Sequence, residues 1–203
     1  DTELPSGLQI GTGVRTVGTQ KIFSQGALKN TEEQLDVAIN GRGFFQIQMP
    51  DGTAAYTRDG QFHLSADGEL VNASGLTLNP GINIPTNAST ITIGTDGTVS
   101  AMISGETAPT QVGTLSLVDF VNPAGLQAMG GNLFRETASS GSPQETTPGQ
   151  NGVGVLVQGS LENSNVEVVE ELVNMITTQR AYELNSRVIS TADQMLQFIS
   201  QNL

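Results

Sequence analysis

Apolar and polar side chains alternate in short runs along most of the chain, up to about residue 163. Alternation with a period of two places one face of a β-strand in a core and the other in solvent. The predicted strands cover residues 35–39, 44–49, 53–58, 61–66, 91–93, 99–103, 112–121 and 153–161. Residues 136–152 are rich in Ser, Thr, Gly and Pro, which predicts a surface loop. The pattern therefore predicts a mainly β fold, with an antiparallel domain built from hairpins and a meander.

Four Asp-Gly pairs mark the predicted turns of this domain. They are Asp51-Gly52, Asp59-Gly60, Asp67-Gly68 and Asp96-Gly97. Asp-Gly favours the positive φ angles that tight hairpin turns require. Because residues 53–58 and 61–66, each of strand length, separate the first three pairs from one another, residues 53–66 are predicted to run as a meander.

The C-terminal part of the chain follows a helical period. Residues 166–202 contain neither Gly nor Pro. Apolar side chains recur about every 3.67 residues, which predicts a nearly straight helix of coiled-coil type, roughly 55 Å long, projecting from the β domain. The predicted stripe consists of Val166, Val169, Val173, Ile176, Leu184, Val188, Ala192, Met195 and Ile199. Because an isolated helix is only marginally stable in water, this stripe indicates an assembly surface.

Polar residues mark the start of the predicted helix, and one polar residue interrupts the stripe. Ser164 and Glu167 match a capping box and predict the helix N-cap. Glu167 and the nearby acidic pair at 170–171 either complement the helix dipole, the simpler interpretation, or bind a basic partner. Arg180 interrupts the stripe and either extends out of a packed face or forms an ion pair across a helix interface.

Composition then excludes several classes of function. A net charge of −12 argues against a broad nucleic-acid-binding surface, and no apolar run reaches the roughly 20 residues of a membrane span. The chain has no cysteine, which excludes disulfides, thiolate metal sites and cysteine nucleophiles. Its single histidine, His63, excludes a histidine-rich zinc site. We therefore predict no cofactor and no metal.

The remaining candidates for catalysis or ligand binding are weak. His63 stands between Phe62 and Leu64 in a predicted strand, so it is expected to face solvent. The Asp-Gly pairs lack the spacing of a calcium loop, and Gly11-Thr12-Gly13 lacks the third glycine of a dinucleotide-binding fingerprint. Twenty acidic residues leave paired catalytic carboxylates possible, but the absence of tryptophan leaves few platforms for a sugar. We predict that the chain is not an enzyme.

Several motifs resemble one family of bacterial proteins. Residues 171–176, 179–185 and 193–196 closely resemble the C-terminal helix of flagellar rod and hook proteins. Residues 36–45 and 56–62 look like the β domain of the same family, and Gln25-Gly26-Ala27-Leu28 fits as well. Residues 4–14 are most similar to the members that form the distal rod. The resemblance covers essentially the whole chain.

The resemblance implies a structural subunit of the flagellar basal body. Such a subunit is exported without a cleaved signal peptide and polymerises into a rigid hollow rod that crosses the periplasm, transmits torque and encloses the export channel. The implied partners are further copies of itself, the proximal rod and hook proteins, the rod cap, and the P-ring and L-ring bushing; nucleic acid and membrane insertion are not implied. A hook or proximal rod protein is the alternative within the family, and a secreted carbohydrate-binding module is a remote one.

The expected organisation has three parts. Residues 1–22 form an extended segment, residues 23–163 the outer β domain, and residues 164–203 the helix of the inner tube. In the family, an N-terminal helix packs against this C-terminal helix. That N-terminal helix is not among these 203 residues, which begin at Asp1, so we expect further residues upstream.

Overall fold

The computed structural model describes residue 15, residues 17–105 and residues 108–201, without the side chains of residue 196 and residues 199–201. Within this part, sixteen short strands precede a single long helix. The strands are β1 (Leu28–Asn30), β2 (Val37–Asn40), β3 (Phe45–Gln48), β4 (Ala54–Thr57), β5 (Phe62–Leu64), β6 (Leu70–Asn72), β7 (Leu78–Asn79), β8 (Ala88–Ile93), β9 (Thr98–Ile103), β10 (Thr110–Thr114), β11 (Leu117–Asp119), β12 (Gln127–Gly130), β13 (Leu133–Arg135), β14 (Gln144–Thr146), β15 (Val155–Gln158) and β16 (Ser160–Glu162). The helix, α1, spans Val168–Gln201, and a 3₁₀ turn covers Pro123–Gly125.

All strand pairs are antiparallel, which confirms the predicted mainly β fold class. The largest sheet has the order β12-β13-β4-β3-β7, and a second sheet has the order β10-β9-β8. Four further pairs are β1 with β16, β2 with β15, β5 with β6, and β11 with β14. Pairing of β1 with β16 and of β2 with β15 brings the beginning and the end of the β region together.

Side chains of the five-stranded sheet enter two different hydrophobic clusters. The consecutive residues Phe44 and Phe45 point to opposite sides because side chains alternate along a strand. Phe45 and Ile47 belong to the larger, mainly aliphatic core. Phe44 packs into an aromatic cluster with Tyr56 and Phe120, where the Tyr56 and Phe120 ring centroids are 4.8 Å apart. Although aromatic residues are few, they build one side of this sheet, a role that composition did not predict.

The predicted hairpins are confirmed at three of the four Asp-Gly pairs. Gly52, Gly68 and Gly97 adopt φ angles of 81°, 84° and 87°, as these turns require. At Asp59-Gly60 the prediction of a hairpin is wrong, because β4 pairs with β3 and β13 while β5 pairs with β6. The meander across residues 53–66 is therefore interrupted between β4 and β5.

Other strand boundaries also differ from the sequence pattern. The predicted surface loop at 136–152 contains β14, which pairs with β11. The predicted strand at 112–121 is divided into β10 and β11, and the predicted strand at 153–161 is divided at Gly159, whose φ angle is 70°. A polar loop can still form a strand when a partner edge is available, since backbone hydrogen bonds do not depend on side-chain polarity.

The helix stands apart from the sheets, and all described side chains from Val166 to Met195 are exposed. At 34 residues it is about 51 Å long, which agrees with the predicted projecting helix. The coiled-coil type of this helix remains a prediction. Of the expected N-terminal segment, residues 1–14 and 16 lie outside the described residues, as do the Gly11-Thr12-Gly13 motif, residues 202–203 at the C-terminus and the side chain of Ile199.

Candidate assembly surface

The base of helix α1 is held by the first described segment of the chain. Strand β1 pairs with β16, and the Asn163 amide donates a hydrogen bond of 2.9 Å to the Ala27 carbonyl. The Asn165 side-chain amide donates to the carbonyl oxygens of Ile22 and Ser24, each at 3.1 Å. These contacts join the two ends of the β region immediately before the helix begins.

An ion pair connects this junction to the β region. The Arg58 guanidinium lies 2.8 Å from the Glu162 carboxylate, and both side chains are less than 20% exposed. Arg58 also donates hydrogen bonds of 3.0 and 3.1 Å to the carbonyl oxygens of Gly43 and Gly41. The second carboxylate oxygen of Glu162 accepts a hydrogen bond of 2.9 Å from the Gly26 amide. Arg58 and Glu162 thus tie the segment that leads into the helix to the loop before β3.

The N-cap of α1 lies later than the capping box predicts. The Ser164 hydroxyl accepts a hydrogen bond of 3.2 Å from the amide of Val166, two residues on, and the helix begins at Val168. The first turn closes with the Glu171 amide donating to the Glu167 carbonyl at 3.0 Å. Glu167 therefore occupies the cap position and Ser164 lies outside the helix. Glu170 and Glu171 lie in the first turn, where negative charge complements the helix dipole.

The apolar stripe is exposed along its described length. The exposed fraction of its large side chains ranges from 49% at Ile176 to 74% at Val169. The complete set is Val166, Val169, Val173, Ile176, Leu184, Val188, Ala192 and Met195, together with Ile199, whose side chain is not described. Exposed apolar patches of this extent mark interaction sites. That the stripe mediates assembly remains a prediction.

Helix α1 carries a second apolar row that was not predicted from the sequence. Val168, Met175, Tyr182 and Ile189 recur every seven residues, and their exposed fractions lie between 56% and 77%. With 100° of rotation per residue, Tyr182 lies about 160° around the helix from Leu184. The seven-residue spacing was the signal that could have revealed this row, which we call the heptad row.

Helix α1 carries charges that find no ionic partner within the structure. Its basic residues are Arg180 and Arg187, and neither forms a salt bridge with any residue that the structure describes. Arg180 occupies the interrupted step of the stripe, so its guanidinium is available to a neighbouring molecule. Both interpretations of Arg180 require such a packed neighbour.

The alternative candidate sites show no catalytic arrangement. His63 is exposed while its neighbour Phe62 is buried, as the strand pattern predicts. Among the described residues no cluster of His, Asp and Glu could hold a metal ion. An open cleft of about 530 Å³ lies at the base of the helix. Of its four charged residues, Arg58 and Glu162 bind each other, Lys21 lies over the Phe134 ring, and Asp59 accepts a hydrogen bond from the Asn132 side chain.

In two Asp-Gly turns, hydrogen bonds lower the pKa of the aspartate side chain. The Thr53 hydroxyl, 2.6 Å from the Asp51 carboxylate, and then the Thr53 amide lower the pKa of Asp51. The Thr98 amide and then its hydroxyl lower the pKa of Asp96 in the same way. These hydrogen bonds are those of turns, which supports the turn interpretation over a calcium loop.

Comparison with known proteins gives matches along nearly the whole chain. The family model for the flagellar hook protein FlgE/F/G D1 domain matches residues 38–101, from β2 into β9. The family model for the flagellar basal body rod FlgEFG protein C-terminal region matches residues 157–202, which include α1. No helix in the described part of the chain is both long enough and apolar enough to cross a membrane.

Individual relatives agree with these matches. The flagellar basal-body rod protein FlgG of Buchnera aphidicola (subspecies Schizaphis graminum) is 60% identical, and the aligned region covers 99% of this chain and 77% of that protein. FlgG of Caulobacter vibrioides is 46% identical, with 98% and 76% covered. The flagellar hook-basal body complex protein FlhP of Bacillus subtilis is 31% identical, with 97% and 75% covered.

Proposed function

The chain belongs to the FlgE/F/G family of flagellar hook and basal-body rod proteins, and we propose that helix α1 joins its copies into the distal rod. The observation that carries this proposal is the stripe, an exposed apolar surface, interrupted only at Arg180, on a helix that no other described element covers. Fully burying one Leu or Val side chain stabilises the assembled state by roughly 1.5–3 kcal/mol relative to leaving the side chain exposed. Burial of a stripe of nine residues therefore strongly favours packing of the helix against neighbouring subunits.

A structural role as a rod subunit agrees with the high identity to proteins named FlgG. In that role the β region forms the outer layer of the rod and the helices form its inner tube. The polymer then transmits torque, encloses the export channel, and contacts the proximal rod, the hook, the rod cap and the ring bushing. The 31% identity to FlhP, against 60% for a Buchnera FlgG, favours a rod subunit over another hook-basal body protein.

We propose that the chain performs no catalysis. The exposed His63 forms no hydrogen bond with a carboxylate among the described residues, so nothing there would activate it as a base. A carbohydrate-binding module lacks support as well, since Tyr56 is buried and Tyr182 lies on α1. Replacing His63 with Ala in the native gene should leave motility unchanged, and loss of motility at normal protein levels would contradict this.

The assembly role can be tested with a charge placed in the stripe. Leu184→Asp should abolish rod growth, because a carboxylate buried without a partner costs several kcal/mol and every subunit of the polymer repeats that cost. Gln197→Asp, which lies off both apolar rows, is the matched control and should be mild. The measurement is the presence or absence of normal rods in basal bodies purified from both mutants. Normal rods from Leu184→Asp, or equal loss in both mutants, would refute the role of the stripe.

A further inference from the structure

Asparagine is followed directly by glycine at two places in the chain, Asn40-Gly41 and Asn151-Gly152. In such a pair the backbone amide nitrogen of the glycine can attack the side-chain carbonyl carbon of the asparagine. Glycine favours this ring closure because it has no side chain to crowd the attacking nitrogen and the backbone around it rotates freely. The two pairs have the same chemistry, but the fold places them in different surroundings.

The Asn40-Gly41 pair is held by hydrogen bonds and by close packing. The Gly41 amide donates a hydrogen bond of 3.0 Å to Oε1 of Gln25, and Nε2 of Gln25 lies 3.4 Å from Oδ1 of Asn40. Asn40 also pairs with Val155 in the ladder of β2 with β15. A β carbon on Gly41 would lie 2.6 Å from the α carbon of Gly154, so the backbone here has little room to rotate. Both reacting groups of this pair are therefore restrained.

The Asn151-Gly152 pair forms the centre of a tight turn between β14 and β15. The φ angles of these two residues are 51° and 79°, and the Val153 amide donates a hydrogen bond of 2.9 Å to the Gln150 carbonyl, as in a type I′ turn. This hydrogen bond does not use the Gly152 amide, which has no hydrogen-bond acceptor among the residues that the structure describes. Both residues are exposed, and a β carbon on Gly152 would meet no atom within 4 Å. Such a turn can open locally at low cost.

The Asp-Gly pairs are less reactive than Asn151-Gly152. Three of their glycine amides are hydrogen-bonded to backbone carbonyls, namely Gly52 to Met49, Gly68 to Ser65 and Gly97 to Gly94. The fourth glycine, Gly60, is buried against the backbone of Val37. An aspartate side chain is also ionised at neutral pH, and a carboxylate is a poor electrophile. Among these pairs, Asn151-Gly152 alone combines an amide side chain, an unbonded glycine amide and an exposed backbone.

We propose that Asn151 is a site of spontaneous deamidation. The Gly152 nitrogen forms a bond to the side-chain carbonyl carbon of Asn151, and the bond from that carbon to Nδ2 breaks. Nδ2 leaves as ammonia and takes with it the proton of the Gly152 amide, which gives a cyclic imide. Water then opens the imide at either of its carbonyl carbons, and the product is aspartate or isoaspartate. The reaction involves no change of oxidation state and no reactant other than water.

The isoaspartate product should disturb the turn. It places an extra methylene group in the backbone at residue 151, which a type I′ turn does not accommodate. The Gly149 amide donates to the Gly154 carbonyl at 2.9 Å across this loop, and the Gly154 amide donates to the Arg42 carbonyl at 2.8 Å. Either product also adds a negative charge to a chain whose net charge is already −12. The site lies outside helix α1 and does not depend on the assembly role proposed above.

The proposal can be tested by ageing the full chain in a mildly alkaline buffer, which promotes loss of the amide proton. Peptide mapping with tandem mass spectrometry locates each amide that has become a carboxyl group. Asn151 should react at least about tenfold faster than Asn40, because Asn40 must first break a hydrogen bond and move packed backbone. Methylation by an isoaspartate-specific carboxyl methyltransferase measures the second product independently. Asn151→Gln should remove most of that signal, since the longer side chain closes a ring slowly.

A second variant and an unfolded sample supply the matched controls. Gln25→Ala should speed the reaction of Asn40 by roughly fivefold, the rate equivalent of one net hydrogen bond, and leave Asn151 unchanged. In concentrated urea the two asparagines should react at similar rates, which would show that the difference comes from the fold. Equal rates at the two sites in the folded chain would overturn the proposal. So would an Asn151 that stays intact in the folded chain while it reacts in urea.

Discussion

The amide of Val37 donates a hydrogen bond of 3.0 Å to the carbonyl oxygen of Gly60. The backbones approach so closely here that a β carbon on Gly60 would overlap the carbonyl oxygen of Val37. This contact fixes the segment between β4 and β5 against β2, in place of the hairpin that Asp59-Gly60 predicts. The glycine is needed for close approach and not for a turn.

Gly60→Ala should therefore destabilise the β region by about 3 kcal/mol or more, because an extra methyl in a packed backbone contact forces the chain to move. Gly81→Ala is the matched control, since a β carbon there meets no atom within 4 Å. The control should change stability by less than about 0.5 kcal/mol. Urea unfolding of the two variants measures both values. Similar losses in both variants would contradict the close-approach role of Gly60.

The Arg58–Glu162 ion pair should contribute more to stability than the second ion pair of the β region. Arg58→Gln leaves the Glu162 carboxylate without its cation in a largely buried position, at a cost of roughly 2–3 kcal/mol, between the values for exposed and fully buried pairs. Arg42 pairs with Asp119 at 3.0 Å but is 64% exposed, so Arg42→Gln should cost less than about 1 kcal/mol. Thermal unfolding of both variants tests this order, and the reverse order would refute it.

The β region should fold without the helix. Side chains from Val166 to Met195 are exposed, so removing α1 deletes little packing from the core. A chain that ends at Val166 keeps the Asn165 hydrogen bonds to Ile22 and Ser24. We expect it to show a β-type circular dichroism spectrum and a cooperative melt within a few degrees of the intact chain. A disordered fragment would show that the helix is part of the folding unit.

The first Asp-Gly turn should respond to pH through Asp51. Because the pKa of Asp51 is lowered, its carboxylate stabilises the fold above about pH 4, and this contribution is lost as pH falls through the lowered pKa. Thr53→Ala removes the hydroxyl that is the largest cause of the shift, so the pKa of Asp51 should rise. Asp96, held by Thr98, is the internal control. Carboxyl NMR titration would contradict the assignment if Asp51 did not move or if both groups moved together.

The sequence by itself determined the type of each part of the molecule. A period of two in the β region and a period near 3.6 after Val166 reflect which side chains share a face, and this property is local. For the same reason, the exposure of His63 beside the buried Phe62 could be predicted from neighbours in a strand. The motifs of the helix, at residues 171–176 and 179–185, carried the family resemblance.

Only the tertiary structure decided which segments meet. The pairing of Leu28 with Glu162 and the strand β14 within a polar loop depend on backbone hydrogen bonds between distant residues, and such bonds leave no local pattern of side chains. The same is true of Gly60, whose sequence context predicts a turn but whose role is set by the approach of Val37. For helix α1, the position of each residue in the sequence determines its angle around the helix axis. The structure added that the β region covers neither apolar row, which leaves both exposed on the isolated chain.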